Sequence, residues 1–106
     1  MGVRLYEILC ATGLPVAYSQ FGSTPPTLPY IVYFAEGSDN FAADNVVYLP
    51  RTNYQVELYS SRKDTTVEAL VEAALTANEI FYEKQETWIA SEKLYQVVYE
   101  MQIQGR

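Results

Sequence analysis

The 106-residue sequence predicts an α+β fold in a single domain spanning residues 1–106. We expect an antiparallel (mixed) β-sheet of about four to five strands, with two helices packed on one face. Three observations predict it: an amphipathic helical pattern after residue 65, a strict alternation over 94–103, and shorter segments rich in aromatic and β-branched residues. The order helix, strands, helix, two strands is typical of an α+β sandwich, and a chain of this length usually forms one core.

Residues 3–12 predict the first helix, because the side chains on one side recur at helical spacing: Leu5, Ile8, Leu9 and Thr12. Gly13, with Pro15 just beyond it, predicts the helix end. Residues 16–21 read as a short extended segment. The following stretch to residue 29 collects Gly, Ser, Thr and three prolines, so it is expected to be a loop.

Three strands are expected in the middle of the chain, over residues 30–34, 46–49 and 54–59. The last of these alternates, with Gln55, Glu57 and Tyr59 on the face opposite its apolar residues. Pro50 cannot donate a ladder hydrogen bond, so the chain there is expected at an edge, in a bulge or at a break.

The second helix carries the clearest signals. Thr65 and Glu68 have the spacing of a capping box, and Asn78 is expected to end the helix in a left-handed conformation. One apolar stripe runs between them, formed by Val67, Leu70, Val71, Ala74 and Leu75. Residues 80–86 and 94–103 then predict two strands, which we expect to pair as a hairpin.

Composition favours binding over catalysis. The chain has ten tyrosines, no histidine, one cysteine, a net charge of −6 and a pI near 4.4. Clustered cations for nucleic acid or anionic membranes are missing, and a Ser-His triad or a His/Cys zinc site is impossible to complete. Cys10 is expected to be a small buried hydrophobe on the helix. No segment approaches the length of a membrane span, so a cytoplasmic protein is expected. Because the chain has no histidine and a single cysteine, we expect neither a cofactor nor enzymatic activity.

The loop over residues 36–45 is the one metal candidate, since Glu36, Asp39 and Asp44 offer hard oxygen ligands. Its spacing does not match the helix-loop-helix calcium motif, and turn-forming side chains explain it well. Phe41, in the same loop, either tucks back over the sheet or meets a partner. The glutamates after residue 80 are expected on a solvated face and not as an acid–base pair.

Tyrosines on the strands divide into two groups. Tyr30, Tyr54, Tyr95 and Tyr99 are expected on the core side. Tyr59 shares a face with Gln55 and Glu57, and Tyr33 falls opposite the apolar side chains of its strand. That mixed face is the candidate contact with neighbouring subunits, through Tyr33 and Tyr59. Phe41, in the loop, is the third interface candidate.

Several strings in the sequence resemble the tail-completion, or tail-terminator, proteins of long-tailed phages and prophages of Gram-positive bacteria. The resemblance extends from about Leu5 to Ile103 and is carried by residues 28–33, 38–44, 54–59 and 63–64, by the second helix, and by residues 80–84 and 92–100. It implies an α+β protein that is monomeric when free, assembles as a hexameric ring on the end of the tail tube, and joins the tail to the head connector. The implied partners are further copies of the chain, the tail tube protein and the head connector protein. Pro50 departs from the continuous strand expected there.

In such a ring DNA would pass through without specific binding, and an acidic lumen would repel phosphate. The candidates for that lumen are Glu57 and Glu100 on the polar sheet face, or Asp39 and Asp44 in the acidic loop. The resemblance implies assembly in the host cytoplasm followed by residence in the virion tail. The alternative is a small protein-binding module or regulator encoded by a prophage.

Overall fold

A computed structural model gives the structure of the chain. It describes the backbone of residues 2–22, 24–38, 41–43, 46–49 and 51–104, and the side chains of residues 5–22, 24–37 and 52–103. The elements in chain order are α1 (Gly2–Cys10), β1 (Val16–Tyr18), β2 (Tyr30–Ser38), β3 (Phe41–Ala43), β4 (Val46–Leu49), β5 (Arg51–Ser60), α2 (Thr65–Ala77), β6 (Tyr82–Ile89) and β7 (Leu94–Gln104).

The main sheet has five strands in the order β1-β2-β5-β7-β6. All neighbours pair antiparallel except β1 and β2, which are parallel, so the sheet is mixed as predicted. β6 and β7 form the expected hairpin. β4, expected as one more strand, pairs instead with β3 in a separate two-stranded sheet, and Pro50 lies outside the described residues.

Both helices pack on one face of the main sheet. α1 contributes Leu5, Ile8 and Leu9, and α2 contributes Val71 and Leu75. The sheet meets them with the inward residues of its central strands: Ile31, Tyr33, Tyr54, Val56, Leu58, Val97, Tyr99 and Met101. This arrangement confirms the predicted α+β class, because alternate residues of β5 and β7 face a single apolar layer.

The caps of α2 differ from the sequence expectation. Asp64 is the N-cap, and its Oδ1 accepts a hydrogen bond from the Val67 amide at 3.2 Å, so Thr65 belongs to the helix. Glu68 does not reach back as a capping box requires, since its carboxylate binds Lys84 at 2.8 Å. Asn78 has φ −103°, and the left-handed residue is Glu79 at φ 59°.

Tyr33 does not lie on the polar face of the sheet, and this part of the prediction is wrong. It is 4% exposed and pairs with Val56 across β2 and β5, so it points into the core. Its ring packs 5.1 Å from Tyr18 and 6.3 Å from Tyr54 between centroids. Because the run over 30–34 is apolar on both faces, alternation alone could not fix which face is inward.

Cys10 is exposed, which corrects the expectation of a buried thiol. The buried side of α1 is formed by Leu5, Ile8 and Leu9. Cys10 follows Leu9 by one residue, about 100° further round the helix, and so falls outside that stripe. Among the helices that the structure describes, none is both long and apolar enough to cross a membrane.

Candidate interaction surfaces

The sheet face turned away from the helices is called here the open face. β2 supplies Tyr30, Val32 and Phe34, and the register places them directly opposite Tyr59, Glu57 and Gln55 of β5. β7 and β6 complete the open face with Gln96, Val98, Glu100, Glu83, Gln85 and Thr87. The open face is therefore a mixed polar and aromatic surface, and neither of the described helices packs on it.

The predicted residues Tyr59 and Glu57 meet on the open face in one hydrogen-bonded ladder. Gln55 Nε2 donates to Glu57 Oε2 at 2.6 Å, and the Tyr59 hydroxyl donates to Glu57 Oε1 at 2.8 Å. Gln96 Nε2 donates in turn to the Tyr59 hydroxyl at 3.0 Å. Burial and the bond to Glu57 raise the pKa of Tyr59 to about 12. Glu57 is thus bonded by two side chains of its own strand, and Tyr59 is bonded in addition by β7.

Glu100 lies in an acidic stripe across the open face. It stands directly opposite Glu83 of β6 on one side and Gln55 of β5 on the other. Glu57 is two residues from Gln55, on the same side of β5, and so lies on the diagonal from Glu100. Like charges placed opposite each other destabilise a sheet, so this arrangement is not explained by the stability of the isolated chain. Glu83 completes the stripe, although sequence reasoning assigned it only to a solvated face.

Three other candidates lie wholly or partly outside the described residues. Asp39 and Asp44 lie outside the described residues, and only the backbone of Phe41 is described, in β3. Within the side chains that the structure describes, no group of three His, Cys, Asp or Glu residues is arranged to hold a metal ion.

A cluster of charges, here called the ion cluster, joins α2 to the helix side of β6 (Lys63, Glu68, Glu72, Lys84 and Glu86). Lys84 Nζ lies 2.8 Å from Glu68 Oε1 and 2.7 Å from Glu72 Oε2. Lys63 Nζ lies 3.0 Å from Glu68 Oε2 and 2.8 Å from Glu86 Oε1. Sequence reasoning missed it, because its members come from three separate segments.

The ion cluster shifts several pKa values. Burial opposes the charge on Lys84, yet the bonds to Glu68 and Glu72 raise its pKa above the ordinary 10.5. Hydrogen bonds from Lys63 and Tyr95 lower the pKa of Glu86 to about 2. Burial and a 2.9 Å hydrogen bond to Glu72 raise the pKa of Tyr99. Because every carboxylate in the cluster is matched by a cation or a hydroxyl, the arrangement serves the fold and leaves no free acid or base.

Comparison with known proteins places the fold. No protein-family model and no curated protein matches the sequence. Among solved structures, a chain of the "Virion of native gene transfer agent (GTA) particle" is similar over 92% of this chain and 84% of that chain, with a TM-score of 0.62 and 9% sequence identity. At this identity the likeness shows a common fold and nothing finer.

Proposed function

We propose that the chain is a structural component of a phage-like virion, acting by assembly and not by catalysis. The observation that carries the proposal is the fold shared with a chain of a gene transfer agent virion over nearly the whole length of both chains. The resemblance of the sequence to tail-completion proteins makes the same suggestion independently, from short strings and not from the fold.

In its finer form, the proposal is that copies of this single domain form a hexameric ring on the end of the tail tube. The ring stops tube growth and presents a surface to the head connector. It assembles in the host cytoplasm and remains in the virion tail. Support comes from the open face, where Tyr59 and Tyr30 are half-buried beside an acidic stripe and have no helix over them. Aromatic side chains with a polar tip are enriched at protein interfaces.

In the proposed ring the acidic stripe faces the lumen. Glu57 and Glu100 line the lumen, and Glu83 lies beside them. A lumen of carboxylates lets DNA pass without holding its phosphates. A ring structure with these carboxylates on its outer rim would contradict the assignment.

Deletion of the gene from the particle-producing strain, followed by electron microscopy, tests the function. We expect full heads beside separate tails, whose ends are abnormal or unfinished. A plasmid copy of the gene should restore normal particles. Normal virions from the deletion strain would overturn the proposal and favour the alternative, a prophage-encoded binding module or regulator.

A further inference from the structure

β6 forms one edge of the main sheet. It stands last in the strand order, and among the described residues no strand pairs with its outer side. It runs from Tyr82 to Ile89, whereas β1 at the opposite edge has three residues. The outward amides and carbonyls of an edge strand can pair with a strand of another chain. An edge of this length therefore needs either protection or a partner.

Two large apolar side chains lie exposed at the two ends of this edge. Phe81, directly before β6, is 79% exposed, and Trp88, near its end, is 50% exposed. Phe81 lines a hollow with Glu83 and Glu100, so it lies on the side of the open face. Trp88 lies on the helix side, because it alternates in phase with Tyr82, whose ring packs 5.3 Å from buried Tyr99. The edge thus carries exposed apolar surface on both faces of the sheet.

The middle of β6, residues 83–87, is polar and charged. Charged side chains on an edge usually discourage pairing. Lys84 and Glu86, however, lie two residues apart on the same side of the strand and carry opposite charges. They belong to the ion cluster, yet 29% and 35% of their side chains remain exposed. An antiparallel copy of the same strand can therefore set each of them against the other.

We infer that the β6 edges of two copies pair antiparallel, about a two-fold axis at Gln85. Each residue before Gln85 then meets the residue equally far after it in the second copy. The pairs are Phe81 with Ile89, Tyr82 with Trp88, Glu83 with Thr87, and Lys84 with Glu86. Each pair occurs twice, because a two-fold contact uses the same surface on both copies. Cross-strand pairs of apolar, aromatic and oppositely charged side chains stabilise a sheet.

The charges select this register. The smallest shift that keeps the two faces of the strand is two residues. In one direction such a shift places Lys84 opposite Lys84 of the second copy, and in the other direction it places Glu86 opposite Glu86. Like charges placed opposite each other destabilise a sheet. A second copy is therefore the occupant of the edge, since the strand complements itself over its full length in a register that its charges favour.

The two-fold pair belongs to the free chain and does not rest on the proposed function. Copies in a cyclic ring meet through two different surfaces, whereas this contact uses one surface twice. Glu57 and Glu100 lie on β5 and β7, which are inner strands, so the pairing of two β6 edges leaves both carboxylates uncovered. The resemblance to tail-completion proteins implies a free monomer, so a dimer in solution would be a property of this chain's own edge.

Sedimentation equilibrium of the purified chain at up to about 1 mM tests the inference, since a weak contact is populated there. We expect a monomer–dimer equilibrium, and Phe81→Ala and Trp88→Ala should each lower the association constant about tenfold or more. Leu70→Ala is the matched control, because Leu70 is 43% exposed on the side of α2 toward α1. Urea unfolding of each variant shows that the fold is retained. A monomeric wild type, species larger than a dimer, or an equal loss from Leu70→Ala would overturn the inference.

Disulfide cross-linking tests the register in a Cys10→Ser background, which removes the exposed native thiol. Gln85→Cys should yield a covalent dimer under mild oxidation, because position 85 faces itself across the axis within reach of a disulfide. Thr87→Cys alone should not, whereas a mixture of Thr87→Cys and Glu83→Cys chains should give linked heterodimers. The amides of β6 should also exchange with deuterium more slowly at about 1 mM than at about 10 μM. Linkage of Thr87→Cys alone as fast as Gln85→Cys, or exchange independent of concentration, would contradict the pairing.

Discussion

Glu68 is a buried carboxylate whose charge is compensated by two lysines. Its side chain is 4% exposed, and Lys84 and Lys63 lie within 3.0 Å of its oxygens. A buried charge that loses its partner is strongly destabilising, whereas exchange of the whole pair for apolar residues is often neutral.

Lys84→Met should therefore lower the free energy of unfolding by about 3 kcal/mol, measured by urea denaturation at pH 7. Lys63 remains beside Glu68, so a larger loss is not expected. Lys93→Met, at an exposed lysine outside the ion cluster, is the control and should change stability by less than about 0.5 kcal/mol. Combining Lys84→Met with Glu68→Leu should recover most of the loss. A Lys84→Met variant as stable as the control would refute the importance of this pair.

The ion cluster also sets the acid limit of stability. Hydrogen bonds lower the pKa of Glu86 to about 2, and those from Lys84 and Tyr99 outweigh burial and lower that of Glu72. A carboxyl whose folded pKa lies below its unfolded value stabilises the fold above the unfolded pKa and loses that contribution as the pH falls through the folded one. Urea unfolding should show constant stability near pH 6 and a decline between about pH 4.5 and 2. Glu86→Gln should flatten that decline, and an unchanged pH profile would contradict the assigned bonds.

At the scale of elements, the N-cap of α2 distinguishes two neighbouring residues. Asp64 accepts the Val67 amide, whereas Thr65 lies inside the helix and is exposed. Asp64→Ala should cost about 1 kcal/mol in urea denaturation, because a free amide of the first turn loses its acceptor. Thr65→Ala should cost no more than a few tenths, since alanine is the better helix former. The reverse order would mean that the helix begins one residue later.

Hydrophobic alternation predicts the buried face of some strands and not of others. Alternation placed β5 and β7 correctly, because each has one apolar and one polar face. The same signal fails on β2, where Tyr33 turned out to be buried and its neighbours Tyr30 and Phe34 lie on the open face. Residues 30–34 of that strand are apolar on both faces, so the alternation does not show which face is buried and packing in the folded chain decides it.

The candidate site residues were likewise predictable only where they lie on one strand. Glu57 and Tyr59 were recognised because they alternate with apolar residues on one strand, and the structure brings them within hydrogen-bond distance. The stripe with Glu83 and the ion cluster depend on which strands and helices become neighbours. That information is tertiary and has no local sequence pattern.

At the scale of the whole molecule, the charges on the open face are the feature that should govern DNA passage. Since Glu57 and Glu100 are proposed to line the lumen, the double change Glu57→Lys and Glu100→Lys should convert a repelling wall into one that holds phosphate. We expect particles of normal shape that release their DNA more slowly, measured as the fraction of DNA retained after triggered ejection. Glu7→Lys, at an exposed position on α1, is the control. Ejection at the wild-type rate in both variants would place the acidic stripe outside the lumen.

The location of the chain in finished particles tests the central claim most directly. Particles carrying an epitope-tagged copy can be purified, labelled with gold-conjugated antibody and viewed by electron microscopy. The proposed function predicts gold at the junction of head and tail in most labelled particles, and none along the tail or on the head surface. Purified particles that lack the chain altogether, or carry it elsewhere, would contradict the claim that it is the structural element joining tail to head.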